Sequence, residues 1–323
     1  MLRRLGRSGI EVSAMGLGTA RIGGLGFSRL GDHETNMPPS AARESKRAIR
    51  AAVNRGITFF DTADDYGIGG SERLLGEALQ GIRRKVVIST KFGGGLTDEK
   101  MGEWVEGTEV TPEFVEQSCD ASLQRLGTDV IDVYLLHIRD YPVDRAEPIR
   151  DALEDLVAKG KICSYGWSTD DPERARFFAQ AKHCAVVEHQ LNVLMDARKM
   201  LELCDEEDLA SINRVPLLMG ALTGRWQRGS TLPEVDRRSD WFQDDEFLQL
   251  LDRAESIRPL MTEDGRSYVQ GAIGWIWARH PRAIPIPGFR TTQQVEDLAG
   301  AMTYGPLSAE AFERAKEIMQ QPL

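Results

Sequence analysis

The 323-residue chain is long enough to bury a full core, and length alone leaves either one large or two smaller domains open. Its 40 Lys and Arg against 50 Asp and Glu, a net charge of −10, argue against a general nucleic-acid or anionic-membrane surface while leaving room for a local basic pocket. No apolar run approaches the ~18 residues of a membrane span, and the amino terminus lacks a signal-like apolar core, so a soluble cytoplasmic protein with reduced, scattered cysteines is expected.

At the amino end, Arg3–Leu5 and Ile10–Ser13 flank Arg7-Ser8-Gly9 and predict a β-hairpin placed as a plug on the amino-terminal end of whatever follows. Ala14 to Gly18 reads as a first strand, Ser40 to Arg55 as a helix stopped by Gly56, and Ile57 to Asp61 as a second strand. The alternation then continues. Ser71–Leu79 is helical, Val86–Lys91 a strand, and a loop from Gly93 to Val110 precedes a helix opened by Thr111-Pro112 and closed by Gly127. Strand Val130–His137 leads to helix Ile149–Lys159, strand Ile162–Ser168 to a helix opened by Asp171-Pro172, and strand Ala185–Gln190 to helix Arg198–Glu207. Leu209–Pro216, a long connection from Thr223 to Asp245, helix Tyr268–Arg279, strand Ala283–Pro287 and helix Thr292–Ala301 complete the pattern, with one extra helix over Ser308–Met319. Eight strand–helix units are the number that closes a parallel barrel, so the predicted architecture is a (β/α)8 TIM barrel, an α/β fold with an N-terminal β-hairpin and a C-terminal extra helix, residues 1–323 forming a single domain.

In such a barrel the chemistry lies at the carboxyl ends of the strands, where this sequence places Asp61, Lys91, His137, Ser168, Gln190 and Arg214. Apolar strands have no packing reason to end in these residues, and charges in a partly desolvated cleft need one another. Tyr66 stands on the loop just after Asp61. A phenol near its ordinary pKa of about 10 is a poor proton donor at neutrality unless a cation stabilises the phenolate. Lys91 can be that cation, Asp61 can hold it charged, and His137 can position a substrate oxygen, which together suit a carbonyl that gains hydride.

Asp61-Thr62-Ala63-Asp64-Asp65-Tyr66-Gly67, Ser71-Glu72-Arg73-Leu74-Leu75-Gly76, Thr90-Lys91 and Leu135-Leu136-His137 resemble the aldo-keto reductase superfamily, and the resemblance runs from Met15-Gly16-Leu17-Gly18-Thr19 to Ile284-Pro285-Ile286-Pro287-Gly288 and beyond. It implies a barrel that binds NADPH in extended form, with the tetrad Asp61, Tyr66, Lys91 and His137 and Tyr66 as proton donor. By the same resemblance Ser168, Thr169 and Gln190 fall beside the nicotinamide carboxamide, Thr169 standing where asparagine is usual. Arg214 falls where an aromatic often stacks on nicotinamide, and its guanidinium can stack there or bind an anion. Gly288 and Arg290 fall on the loop that receives the adenosine phosphate, Arg290 suiting a 2′-phosphate, and Gln294 and Asp297 fall where the family contacts adenine, with Leu298 in place of a common asparagine.

No metal site is expected from Cys163, His183, Cys184 or His189, because the alternating strand pattern puts His189 and Gln190 on opposite faces. Arg21–Met37, Gly93–Val110 with Trp104, and Thr223–Asp245 with Trp226 and Trp241 are the loops placed to shape a substrate pocket. The expected function is reduction of an aldehyde or ketone, sugars included, with a small-molecule carbonyl as partner. The alternative is an NADPH-binding regulatory subunit with little turnover.

Overall fold

The computed structural model describes residues 1–22, 37–97, 104–234 and 236–320. Strands β1 (Leu2–Arg4) and β2 (Glu11–Ser13) pair antiparallel, Leu2 opposite Ser13. Strands β3 (Gly16–Gly18), β4 (Phe59–Asp61), β5 (Val87–Phe92), β6 (Ile131–Leu136), β7 (Ile162–Ser168), β8 (Cys184–Gln190), β9 (Ala210–Arg214) and β10 (Ala283–Pro285) form a parallel sheet in chain order. A parallel bridge between Gly18 and Gly288, with the Gly18 N–H donating to the Pro287 carbonyl at 3.1 Å, closes the sheet into a barrel. Helices α1 (Pro39–Asn54), α2 (Gly70–Leu79), α3 (Pro112–Leu126), α4 (Glu147–Ala158), α5 (Pro172–Ala179), α6 (Arg198–Glu206), α7 (Asp245–Met261), α8 (Tyr268–Arg279) and α9 (Thr292–Tyr304) surround it, and α10 (Ala309–Gln320) follows. This is the expected (β/α)8 architecture.

Local chemistry sets the element ends. Thr111 accepts from the Phe114 N–H with Pro112 at the first helical position, and Gly127 ends α3 at φ 63°. Ser267 and Gln270 cap α8 reciprocally. Helix α7 was not among the predicted elements. Its buried Phe247, Leu251, Ala254 and Ile257 keep helical spacing, but Pro259 in the last turn carries the signature of a break; here the helix stops two residues later, so little of it is disturbed. With α8 and α10 it builds an apolar cluster outside the barrel, where Trp275 meets Phe312 at 5.7 Å. Trp277 donates from Nε1 to the Ala14 carbonyl at 2.8 Å and ties α8 to the start of the barrel.

Strand alternation sorts the core into two shells. Phe60, Ile88, Tyr134, Tyr165, Trp167 and Val187 face the helices, while Phe59, Val133, Leu135, Val186, Ile212 and Ile284 fill the interior. The hairpin floors the interior as expected. Leu5 and Val12 belong to the inner cluster, and Gly6, at φ 48°, lets the turn approach so closely that a Cβ there would sit 2.1 Å from the Ala185 carbonyl.

One irregularity matters for the site. Tyr165 pairs with Cys184 but Gly166 pairs with Val186, so β8 carries an extra residue at that point. The two strands meet there so tightly that a Cβ on Gly166 would lie 2.0 Å from the Val186 carbonyl. Gly166→Ala is therefore expected to cost about 2–3 kcal/mol through overpacking against backbone, whereas Gly95→Ala, with nothing within 4 Å, stays within about 0.5 kcal/mol. Urea-unfolding midpoints of the two variants check this, and equal midpoints would remove the close approach as a constraint.

Candidate active site

Following the inward-facing series up each strand gives a ring at the carboxyl end of the barrel. It comprises Asp61 after Phe59, Lys91 after Ser89, His137 after Leu135, Ser168 after Gly166, Glu188 after Val186 and Arg214 after Ile212. All of these except fully buried Lys91 line a cleft of about 600 Å3, together with Tyr66. Lys91 lies beneath the floor of that cleft. Its ammonium donates to Asp61 Oδ2 at 2.5 Å and to the Thr62 carbonyl at 2.9 Å, and stands 3.3 Å from Glu188 Oε2. Tyr66 lies over it, Nζ being 5.2 Å from the ring centroid. The four predicted tetrad residues thus meet in one place, with the Tyr66 and His137 rings edge to face at 5.8 Å.

The supports lie one layer behind. Thr19 and Ser71 share a 2.7 Å hydrogen bond, the Thr19 hydroxyl donates to the Asp61 carbonyl at 2.9 Å, and Thr62 bonds Ser71 at 3.0 Å, which fixes the loop leading to Tyr66. Thr90, facing outward beside Lys91, donates to buried Glu72 at 2.6 Å, and Arg125 donates to the other oxygen of Glu72 at 2.5 Å. The motif Ser71-Glu72 therefore braces the two strands that carry Asp61 and Lys91.

Electrostatics follow from this packing. Burial works against the Lys91 charge, but Asp61, Glu188 and Tyr66 outweigh it and hold the ammonium well above its ordinary range. Burial and the Glu188 charge raise the Asp61 carboxyl, with Lys91 opposing. Burial likewise raises the Tyr66 phenol against the pull of Lys91, so the resting side chain holds its proton. Burial disfavours a charged His137, yet Asp65, 3.3 Å from Nδ1, raises the imidazole overall.

Other expected positions distribute unevenly. Gln190 does not line the cleft: β8 runs one step past the ring, and its side-chain amide meets Met195 Sδ at 2.7 Å. The residue level with Ser168 is Glu188, whose Oε1 accepts from the Ser168 hydroxyl at 3.2 Å. Thr169 turns away and donates to the Arg139 carbonyl at 2.7 Å. Arg214, paired with Asp170, lines the cleft, as do Gly288, Arg290 and Gln294, and Gln294 Oε1 accepts from the Arg290 N–H at 2.8 Å. Asp297 instead binds Ser267 at 2.8 Å and Gln270 at 3.0 Å, at the cap of α8. Trp226 lines the cleft under the Arg238 guanidinium, 4.9 Å from its ring. Trp104 packs on Tyr141 and Trp241 on Phe247, and neither lines the cleft. Residues 23–36 and 98–103 of the predicted pocket loops lie outside the described residues.

Beyond Glu188, Arg21 and Arg238 also line the cleft, on two of the loops expected to shape the pocket but without having been singled out there as site residues. Burial lowers the Arg21 guanidinium to about 9, and repulsion from Arg238 and Arg290 adds to the effect, against Asp236. Three cations from the ends of β3, β9 and β10 thus gather at one side of the cleft, a juxtaposition only the closed barrel reveals. Among the described residues, Asp64, Asp65 and His137 bring three ligand-type atoms within 4.8 Å of one another, and the Asp65–His137 pair and a 3.3 Å bond from the Gly93 N–H to Asp64 account for them.

Both ends of the cleft fit an extended dinucleotide. Glu188 Oε2 has no hydrogen-bond partner among the described residues and suits an amide donor, and the guanidiniums of Arg21 and Arg290 suit phosphate oxygens, whereas Arg238 is held by both oxygens of Asp236 and by the Met219 carbonyl.

Burial and neighbouring Asp65 raise the Asp64 carboxyl to about 6, His137 opposing. A carboxyl raised on folding contributes stability below its unfolded pKa of about 3.9, and that contribution is lost as pH climbs through 6. Asp64→Asn should therefore stabilise the protein by about 1–2 kcal/mol at pH 7.5 and negligibly at pH 4, the figure being reduced for partial solvent screening. Unfolding midpoints at the two pH values test it; a gain independent of pH would contradict the assignment.

The aldo/keto reductase family model matches residues 14–320. Among curated proteins, the chain is 29% identical over 318 residues to the NADH-specific methylglyoxal reductase of Escherichia coli, covering 95% of each. Among solved structures it is similar to the glycerol dehydrogenase of Gluconobacter oxydans (26% identity, TM-score 0.81, covering 100% of this chain and 97% of that one). It is also similar to an aldo-keto reductase from Klebsiella pneumoniae in complex with NADPH (25% identity, TM-score 0.72, 100% and 97%). With nearly its whole length matched and the ring of Asp61, Lys91 and His137 at the carboxyl ends of a parallel barrel, the chain belongs to the aldo-keto reductase family.

Proposed function

We propose that this protein reduces an aldehyde or ketone to the alcohol with NADPH, Tyr66 donating the proton and Asp61, Lys91 and His137 acting with it. The observation that carries the reading is the meeting of four side chains: the fully buried Lys91 ammonium bonded to Asp61, with the Tyr66 ring 5.2 Å above it and edge to face with His137. When bound, the reduced nicotinamide supplies hydride. The protein's own residues then have separable tasks. His137, held by Asp65, orients the carbonyl oxygen at the cleft floor. Tyr66 gives its proton to that oxygen, and Lys91 offsets the charge left on the phenolate. Asp61 and the Thr62 carbonyl keep the ammonium in place. Ser168 and Glu188 would hold the carboxamide end of the cofactor, Arg21 would face its pyrophosphate and Arg290 the 2′-phosphate.

Two charges oppose each other at the adenosine end. Arg290 attracts a 2′-phosphate, while Glu44 on α1 accepts from the Thr292 N–H at 2.8 Å and so occupies an amide at the start of α9 that would otherwise favour an anion.

Loss of NADPH absorbance against a panel of aldehydes, ketones, sugars and small dicarbonyls, methylglyoxal among them, tests the activity, with glycerol and NADP+ for the reverse direction. Tyr66→Phe should lower turnover by about 10²–10⁴-fold with cofactor affinity retained. Unchanged turnover in that variant would remove Tyr66 from its role, and tight cofactor binding without turnover on any substrate would favour the regulatory-subunit reading. Arg290→Ala should weaken NADPH by about tenfold and leave NADH within about twofold, whereas Glu44→Gln should tighten NADPH several-fold. Dissociation constants by fluorescence titration decide this, and parallel changes for both cofactors would take the preference away from these two residues.

A further inference from the structure

Glu188 places a third ionisable side chain against the Lys91 ammonium, in addition to Asp61 and Tyr66. It is 2% exposed, level with Ser168 across the β7–β8 pairing, and it faces the floor of the cleft. One of its oxygens is engaged by the Ser168 hydroxyl at 3.2 Å. The other stands 3.3 Å from Lys91 Nζ and has no hydrogen-bond partner among the described residues. One ammonium therefore faces two carboxyl groups that compete for it, and the Glu188 charge is one of the causes that raise the Asp61 carboxyl.

A carboxylate differs from a neutral amide at such a position in two ways. It only accepts hydrogen bonds, so it selects a donor, and it carries a field that distinguishes charged from uncharged ligands. The nicotinamide ring is cationic when oxidised and neutral when reduced, and its carboxamide offers an N–H donor in both states.

We infer that Glu188 biases the protein toward the oxidised nicotinamide cofactor, accepting from the carboxamide nitrogen and holding negative charge beside the cationic ring. The inference rests on the cofactor reading above and adds a direction to it. NADP+ is held more tightly relative to NADPH than a neutral side chain at position 188 would hold it, which makes the bound reduced cofactor the stronger hydride donor and favours reduction of a carbonyl on the protein.

The test is a set of dissociation constants measured by quenching of tryptophan fluorescence, for NADP+ and NADPH, in the wild type and in Glu188→Gln. The ratio Kd(NADPH)/Kd(NADP+) should fall by about tenfold in the variant, mainly through weaker NADP+ binding. A ratio unchanged within twofold, or equal losses for both cofactors, overturns the inference while leaving the cofactor reading intact. A wild type that binds neither nucleotide overturns both. Because removing one partner of a buried ion pair can compromise folding, a second measurement uses the wild type alone. The 3-acetylpyridine analogue of NADP+ keeps the cationic ring but lacks the amide N–H, and it should bind at least about tenfold more weakly than NADP+ itself. Equal affinity for the analogue shows that no donor reaches Glu188 and overturns the assignment.

Discussion

A full positive charge inside the barrel is the constraint on which the site depends. Lys91 has no exposed surface, and an ammonium in that setting is tolerated only where acceptors surround it. They come from three places: the carboxylate that ends β4, the carboxylate on β8, and the Thr62 carbonyl on the loop after β4. Satisfying one cation therefore ties three separate strands and a loop to common coordinates. The loop so fixed carries Tyr66, so the same charge that lies under the phenol ring also positions it. Thr19, Ser71, Thr90 and Glu72 act behind this arrangement by removing the freedom of the backbone on either side of Asp61 and Lys91.

The cleft above is polarised along its length. Carboxyl groups lie at the floor around Lys91, and guanidiniums gather where the segments after β3, β9 and β10 converge. A molecule with hydrogen-bond donors at one end and phosphates at the other is oriented by such a gradient before any close contact forms. The net charge of the whole chain is negative, so this basic patch is local.

Much of this was legible in the sequence. Apolar runs that end in Asp61, Lys91 and His137 announce polar strand ends, and eight alternations announce a closed parallel barrel. What was not legible has identifiable physical causes. Glu188 was hidden by the extra residue that β8 carries opposite Gly166: levels across two strands cannot be read from their ends when one strand has an added residue and overruns the ring. Arg21 and Arg238 are distant in sequence and sit on irregular segments, so only closure of the barrel brings their charges together. Thr169 and Asp297 fall at positions the resemblance singles out, yet each is engaged elsewhere, with the Arg139 carbonyl and with the cap of α8. A position in a motif fixes where the backbone runs more firmly than where a side chain points.

The hairpin that floors the barrel has a consequence for how the chain reaches this structure. Leu5 enters the inner core, the turn at Gly6 seats against Ala185, and Arg4 bonds Asp208, a partner 204 residues along the chain. During synthesis the hairpin emerges before any of the strands it will seal, and its docking surface on β8 and β9 appears only after most of the chain. The hairpin is thus made well before the surface it docks on and settles only after that surface exists. Until it does, Phe59, Val133 and Leu135 line a tube open at its lower end, an apolar surface on offer to chaperones or to neighbouring nascent chains.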